Sequence, residues 1–175
     1  MLIPRTVALA VMFIPLAIAI AYTDVRYRRI PNKLVLATFL GGLILNTTFD
    51  GWNGFLVSLG GSAVAFGLML LLHIFATMGP GDVKLFAAVG AIVGISHVLP
   101  TLIIVALTGG VLAIFKMIYA RRVVATMTGV LLFFYGLLPG HTVPRIEVPT
   151  DPSYTLPYAV PICFGSVVSF LLFRA

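Results

Sequence analysis

Two of the five acidic residues stand where a carboxylate is costly unless it has a function. Asp24 closes a long apolar segment, and Asp82 directly precedes another. Ionisable side chains at such junctions usually mark a functional site. If the two groups meet, they can share a proton, because two carboxylates about 3 Å apart do not both ionise easily. The neutral group would then polarise a peptide carbonyl while the ionised group activates a water molecule, which is the chemistry of an aspartic protease.

Two alternatives to this interpretation stay open. Each aspartate could pair with a nearby base, Arg26 for Asp24 and Lys84 for Asp82. The two carboxyl groups could instead bind a proton or a cation in a small transporter, whose broken helix would be residues 79–81. A transporter site is expected near the middle of the bilayer, whereas both aspartates lie near one face, which favours the protease. The other acidic residues are interpreted as solvated charges: Asp50, Glu147 and Asp151.

The composition indicates which elements must position these carboxyl groups. Of the 175 residues, 61% are hydrophobic and only 9% are charged, whereas roughly a quarter are charged in a soluble domain. The mean hydropathy is +1.15. We therefore expect an all-α, polytopic membrane bundle forming one domain, residues 1–175. Six predicted spans lie near residues 6–23, 31–49, 55–76, 83–99, 101–120 and 154–173. A seventh apolar stretch, residues 123–138, either spans the bilayer or lies in its interface.

The basic residues predict the orientation. Alternating the spans puts eight of them on one side: Arg26, Arg28, Arg29, Lys33, Lys84, Lys116, Arg121 and Arg122. The loop predicted on the other side, residues 47–54, has no Lys or Arg. Because cytoplasmic loops carry the excess of Lys and Arg, we expect Asp24 and Asp82 at the cytoplasmic face and the N-terminus outside. Basic residues beside apolar segments also indicate membrane lipids as partners, rather than nucleic acid.

Asp82 follows a rigid bend of small residues. Gly79, Pro80 and Gly81 precede it, and an apolar segment follows at once. Asp is favoured at the N-cap of a helix, and glycine leaves no side chain where a substrate backbone would approach. The positive end of this helix favours an ionised Asp82, whereas Asp24 faces the negative end of its own helix. We therefore expect Asp82 to be the ionised partner and Asp24 the protonated one.

Three segments together resemble the prepilin peptidase family. The sequence GPGDVKL from Gly79 to Leu85 matches its Gly-x-Gly-Asp motif. The sequence DVRYRRIPN, from Asp24 to Asn32, matches its first aspartate motif, an aspartate before a basic run and Ile-Pro-Asn. Residues 156–161, LPYAVP, resemble the segment that opens the last span of the family, and Gly165 fits the glycine that follows. A lone Gly-x-Gly-Asp is a weak signal, but the paired motifs in the family's order are a strong one.

The resemblance implies a membrane aspartic endopeptidase of the bacterial inner membrane, with Asp24 and Asp82 as its catalytic pair. Such enzymes cleave the basic leader from type IV prepilins and pseudopilins at the cytoplasmic face, after a glycine that precedes the pilin's hydrophobic helix. The motif positions expected to bind substrate or support the site are Gly79, Gly81, Lys84, Arg26, Pro31, Asn32, Pro157 and Tyr158.

The longer members of the family carry an N-terminal domain with paired Cys-x-x-Cys motifs and also methylate the new N-terminus. These 175 residues contain neither that domain nor those cysteines. The sequence therefore resembles the short, peptidase-only members that serve tight-adherence (Flp-type) pili, and no N-methyltransferase activity is expected.

The remaining features predict structure rather than chemistry. Cys163, the single cysteine, is expected to be a small buried side chain, and His73 a satisfied core histidine. The other histidines have no metal-ligand spacing with His73, so we expect no metal and no cofactor. Close helix packing explains three glycine pairs: Gly60 and Gly61, Gly90 and Gly94, and Gly109 and Gly110.

Overall fold

A computed structural model describes residues 2–76, 79–119 and 158–174, and all regular structure in them is helical. The helices are α1 (Leu2–Tyr27), α2 (Asn32–Ala76), α3 (Pro80–Val93), α4 (Val98–Tyr119) and α5 (Ala159–Arg174), with a 3-10 turn at Ile95–His97. The chain divides into two units, Met1–Gly109 with Pro157–Ala175, and Gly110–Leu156. Of the second unit, the structure describes the last residues of α4. The ambiguous stretch at residues 123–138 and the supporting residue Pro157 lie outside the described residues.

The helix α2 reverses its direction at Gly51. This residue has φ 58° and ψ −139°, a conformation that glycine adopts far more readily than residues with a Cβ. On either side of it, Asn46 Nδ2 and Ser58 Oγ both donate to the carbonyl oxygen of Ala91, over 2.8 and 2.6 Å. In a straight helix these two residues would be about 18 Å apart. Residues 32–50 and 52–76 are therefore the two arms of a hairpin, and most of the predicted loop at residues 47–54 is helical.

The helix α3 packs against both arms through glycines. A Cβ added to Gly61 or Gly90 would overlap the carbonyl oxygen of the other residue, and one added to Gly42 would lie 2.8 Å from Cγ1 of Ile92. The predicted close packing is confirmed for Gly61 and Gly90. For Gly110, none of the described residues lies within 4 Å of an added Cβ, so the structure gives the prediction no support there.

The C-terminal end of α3 is earlier than the sequence predicts. Pro100 favours an end at Leu99, but the helix stops at Val93 and Gly94 takes φ 77°. Pro100 instead lies in the first turn of α4, where its missing N–H is not needed. The carbonyl groups exposed at the end of α3 are satisfied by Asn46, whose Nδ2 donates to the oxygens of Ala91 and Ile92.

The start of α1 contacts the hairpin near its reversal. Arg5 forms an ion pair with Asp50 and donates to Asn46 Oδ1 over 2.8 Å. The expectation that Asp50 is simply a solvated charge is therefore wrong. Since Arg5 and Asp24 lie at opposite ends of α1, this network and Asp24 are at opposite ends of the fold.

Within the described residues, three helices are long and apolar enough to cross a membrane: Pro4–Tyr27, Asn32–Ile74 and Ile95–Tyr119. The sequence predicts six spans. The difference arises because α2 is continuous through its reversal, while α5 is a shorter apolar helix. With 14 residues, α3 rises about 21 Å, less than the hydrocarbon thickness of about 30 Å. The described residues are all-helical, and the chain is a multi-pass membrane protein.

Candidate active site

Asp24 ends the buried face of α1. The buried residues of this helix recur every three or four positions, at Leu9, Phe13, Ala17 and Ile20, and Asp24 continues the series. Residues at this spacing share one helix face. The face of α1 that packs in the bundle therefore also places the Asp24 carboxyl group in the interior of the bundle, and Asp24 is only 8% exposed.

The N-terminus of α5 holds the Asp24 carboxyl group. The backbone N–H of Ala159 donates to Asp24 Oδ2 over 3.1 Å. The first N–H groups of a helix have no partner within the helix and carry a partial positive charge. They therefore bind an ionised carboxylate more strongly than a neutral carboxylic acid.

Among the described residues, the cation whose charge acts on Asp24 is Arg28, and not Arg26 as expected from the sequence. Residues two apart point to opposite sides of a helix, while residues four apart share a face. Arg26 and Arg28 are both exposed, so they differ in direction relative to Asp24 and not in burial. Arg28 follows the end of α1 with φ 53°, and its N–H donates to the Asp24 carbonyl oxygen over 2.9 Å.

Asp82 lies in the first turn of α3 but is not its N-cap, so that expectation is wrong. Gly79 is the N-cap, Pro80 begins the helix, and Asp82 is the third helical residue. The N–H of Asp82 donates to the carbonyl oxygen of Gly79 over 3.1 Å, and its carboxylate accepts in return from the backbone of Gly79. This reciprocal arrangement resembles a capping box, in which an acidic residue at the third helical position bonds back to the N-cap.

The two carboxyl groups are buried and interact electrostatically. Asp82 is 7% exposed. Burial raises the pKa of Asp82 from 3.8 to about 6, the negative charge of Asp24 adds to the rise, and the bond from Gly79 opposes it. Desolvation thus outweighs the favourable position at the start of α3. The expectation that the start of the helix keeps Asp82 acidic is therefore not supported.

The two aspartate motifs meet through Ile30. A Cβ added to Gly81 would lie 3.3 Å from Cδ1 of Ile30, so the absence of a side chain at residue 81 lets the Ile-Pro-Asn segment approach the bend before Asp82. The carbonyl oxygen of Pro31 accepts from the N–H groups of Leu34 and Val35 and so starts α2. Beside this contact is an opening of about 450 Å³, lined by Thr23, Tyr27, Arg29 and Pro31.

The structure does not bring every expected site residue to the aspartates. Lys84 and Asn32 are exposed and line a different groove, on another side of α3. Tyr158 is 39% exposed beside Ala159. Two residues that act on Asp24, Arg28 and Ala159, were not among the site residues expected from the sequence. The spacing of four between Asp24 and Arg28 was the available signal for the first.

Cys163 is buried in α5 and free, as predicted. It lies close enough to Asp24 and Asp82 to interact with their charges. Within residues 2–76, 79–119 and 158–174, no group of three or more His, Cys, Asp or Glu side chains is arranged to hold a metal ion.

Comparison with known proteins gives a consistent assignment. Residues 11–114, which include both aspartates, match the model of the type IV leader peptidase family. The prepilin leader peptidase/N-methyltransferase of Bacillus subtilis (strain 168) is 28% identical over 169 residues, which cover 93% of this chain and 54% of that protein. The protein of the same name from Legionella pneumophila is 32% identical over 111 residues, which cover 60% of this chain and 39% of that protein.

The chain thus spans about half the length of these relatives or less. No solved structure matches it significantly. Because the family model covers more than half of the 175 residues, the protein belongs to the type IV leader peptidase family.

Proposed function

We propose that the chain is an aspartic endopeptidase that removes the basic leader from type IV prepilins and pseudopilins, with Asp24 and Asp82 as the catalytic pair. The observation that carries this proposal is the burial and electrostatic coupling of the two carboxyl groups, with the pKa of Asp82 raised to about 6. A carboxyl group with such a pKa can hold a proton beside an ionised partner near neutral pH. The names of the two relatives support a prepilin as the substrate.

The contacts of the two aspartates favour one division of roles. Burial disfavours the ionised form of both carboxyl groups. Asp24 also accepts from the start of α5 and lies near the positive charge of Arg28, whereas Asp82 faces the negative charge of Asp24, so we assign Asp24 the ionised state. Asp24 removes a proton from a water molecule, whose oxygen attacks the carbonyl carbon of the scissile peptide. Asp82 gives its proton to the carbonyl oxygen. When the C–N bond breaks, the proton held by Asp24 passes to the leaving amine, and the carbonyl oxygen returns its proton to Asp82.

The proposed architecture is a single domain, residues 1–175, that crosses the bacterial inner membrane six times. The crossings are α1, the two arms of α2, residues 83–97 in α3 and the 3-10 turn, α4 and α5, so Asp82 lies just outside its crossing, at the membrane surface. The positive-inside rule supports a cytoplasmic active site. In this orientation the opening beside Thr23 and Tyr27 faces the membrane surface where a basic leader would lie.

We further propose a Flp-type prepilin as the substrate and cleavage without methylation. Both points rest on the resemblance to short family members.

Co-expression with candidate prepilins from the same genome tests the function. Cleavage should appear as a mobility shift, and mass spectrometry of the product should give an N-terminus directly after the leader's last glycine, without the 14 Da that one methyl group adds. The absence of cleavage of every prepilin in the genome would contradict the proposed activity. A methylated product would contradict only the restriction to peptidase activity.

A further inference from the structure

A groove of about 380 Å³ lies on the side of α3 that faces away from Asp82. Its floor is Ala87 and Ala88, and its walls include Leu36 and Phe39 of the first arm of α2 and Phe66 of the second. Leu36 is 56% exposed and Phe66 is 44% exposed, so the walls open outward. In a membrane protein such apolar walls face lipid.

The groove is separate from the proposed catalytic site. Successive residues of a helix are rotated by about 100°, so Lys84, two residues after Asp82, points to the opposite side of α3. From Asp82 to Val93, Lys84 is the one exposed residue and Ala87 the one half-buried residue of α3. Both of these residues line the groove, so residues 82–93 of α3 expose their side chains mainly there.

The two ends of the groove differ in polarity. Lys84 and Asn32 lie at one end, and the rest of the lining is apolar. Among the described residues, no carboxylate forms an ion pair with Lys84. A positive charge at the membrane surface above an apolar channel matches an amphiphile that has an anionic head and a hydrocarbon chain. Basic pockets between helices at the cytoplasmic side of membrane proteins bind such lipid headgroups.

We propose that this groove binds an anionic phospholipid of the cytoplasmic leaflet. Its phosphate contacts Lys84 and the Asn32 amide, and one acyl chain lies along Leu36, Phe39 and Phe66. The bound chain completes the packing around the helix that carries Asp82. The leaflet rests on the orientation given under the proposed function, whereas the site itself does not depend on proteolysis.

Native mass spectrometry tests the site without any cleavage assay. The purified protein is incubated with equal amounts of phosphatidylglycerol and phosphatidylcholine that carry the same acyl chains. The wild type should retain about fivefold more phosphatidylglycerol, the preference expected from one basic residue at the membrane surface. Lys84→Gln should lose this preference while keeping some affinity for both lipids. Lys33→Gln is the matched control, because Lys33 is exposed but does not line the groove, and it should keep the preference.

Ala87→Phe tests the apolar part of the site, since the larger side chain fills the groove and should reduce retention of both lipids. An unchanged preference in Lys84→Gln would overturn the proposal. Displacement of the lipid by an equimolar prepilin peptide would assign the groove to the substrate helix and would also overturn it. So would a dimer that Ala87→Phe dissociates, because the groove would then be covered by a second copy of the chain.

Discussion

Replacing Asp82 with Asn should make the protein more stable at alkaline pH. Burial and the charge of Asp24 raise the pKa of Asp82 from 3.8 to about 6, a shift of about two units, and each unit corresponds to about 1.4 kcal/mol. Because the folded state binds this proton more tightly than the unfolded state, the stabilisation is fully present below pH 3.8. It is lost as the pH rises through 6. At pH 8 the ionised, buried carboxylate thus costs the wild type about 3 kcal/mol relative to acidic pH.

The neutral amide of Asn does not incur this cost, and its oxygen can still accept from the backbone of Gly79. Thermal unfolding in a non-ionic detergent tests this. The Tm of Asp82→Asn minus the Tm of the wild type should increase by several degrees when the pH is raised from 4.5 to 8. Asp50→Asn is the matched control, because Asp50 pairs with Arg5 at the other end of the fold and its replacement should bring no such gain. If Asp82→Asn were no more stable than the wild type at pH 8, the carboxyl group would not be destabilised by burial.

Three further predictions concern packing, electrostatics and topology. Gly61→Ala should destabilise the protein by about 1–3 kcal/mol through overpacking. Gly67→Ala should be neutral or stabilising by up to about 1 kcal/mol, because none of the described residues lies within 4 Å of a Cβ added there. Equal effects of the two substitutions on the free energy of unfolding would contradict the packing. Arg28→Gln should lower kcat for prepilin cleavage several-fold and Arg26→Gln should not, since Arg28 is the cation that acts on Asp24; the reverse order would refute this electrostatic assignment. In a background without Cys163, a cysteine at residue 53 should react with an impermeant thiol reagent from the periplasm and one at residue 28 should not, and the opposite pattern would invert the topology.

Several features of the fold follow from the sequence because a local rule decides them. The low charge content predicts membrane helices, and the Gly-Pro-Gly-Asp bend predicts a helix that begins beside Asp82. The burial of Cys163 follows from its apolar neighbours. The bounds of the helices depend on long-range contacts instead. Gly94 ends α3 earlier than Pro100 suggests, because Asn46 of α2 satisfies its last carbonyl groups.

The candidate site was also predictable only where local sequence patterns determine it, and not where long-range contacts do. The motifs identify Asp24 and Asp82, but the relative acidity of the two depends on burial that helix ends alone do not reveal. The bond from Ala159 to Asp24 joins residues 135 positions apart, and no local pattern predicts it. The choice of Arg28 over Arg26 was available in part from the spacing of four residues, although Arg28 itself lies beyond the end of α1 with φ 53°.

The central claim is that Asp24 and Asp82 act together in one reaction. It is tested most directly by the cleavage rate of a prepilin by purified wild type, Asp24→Asn, Asp82→Asn and the double variant, with Asp50→Asn as control. The account predicts that each single substitution lowers the rate at least about a thousandfold and that the double variant is no worse than either, because residues that act as a unit have non-additive effects. The control should cleave normally. Near-normal cleavage by either single variant, with the protein folded and inserted, would contradict the account.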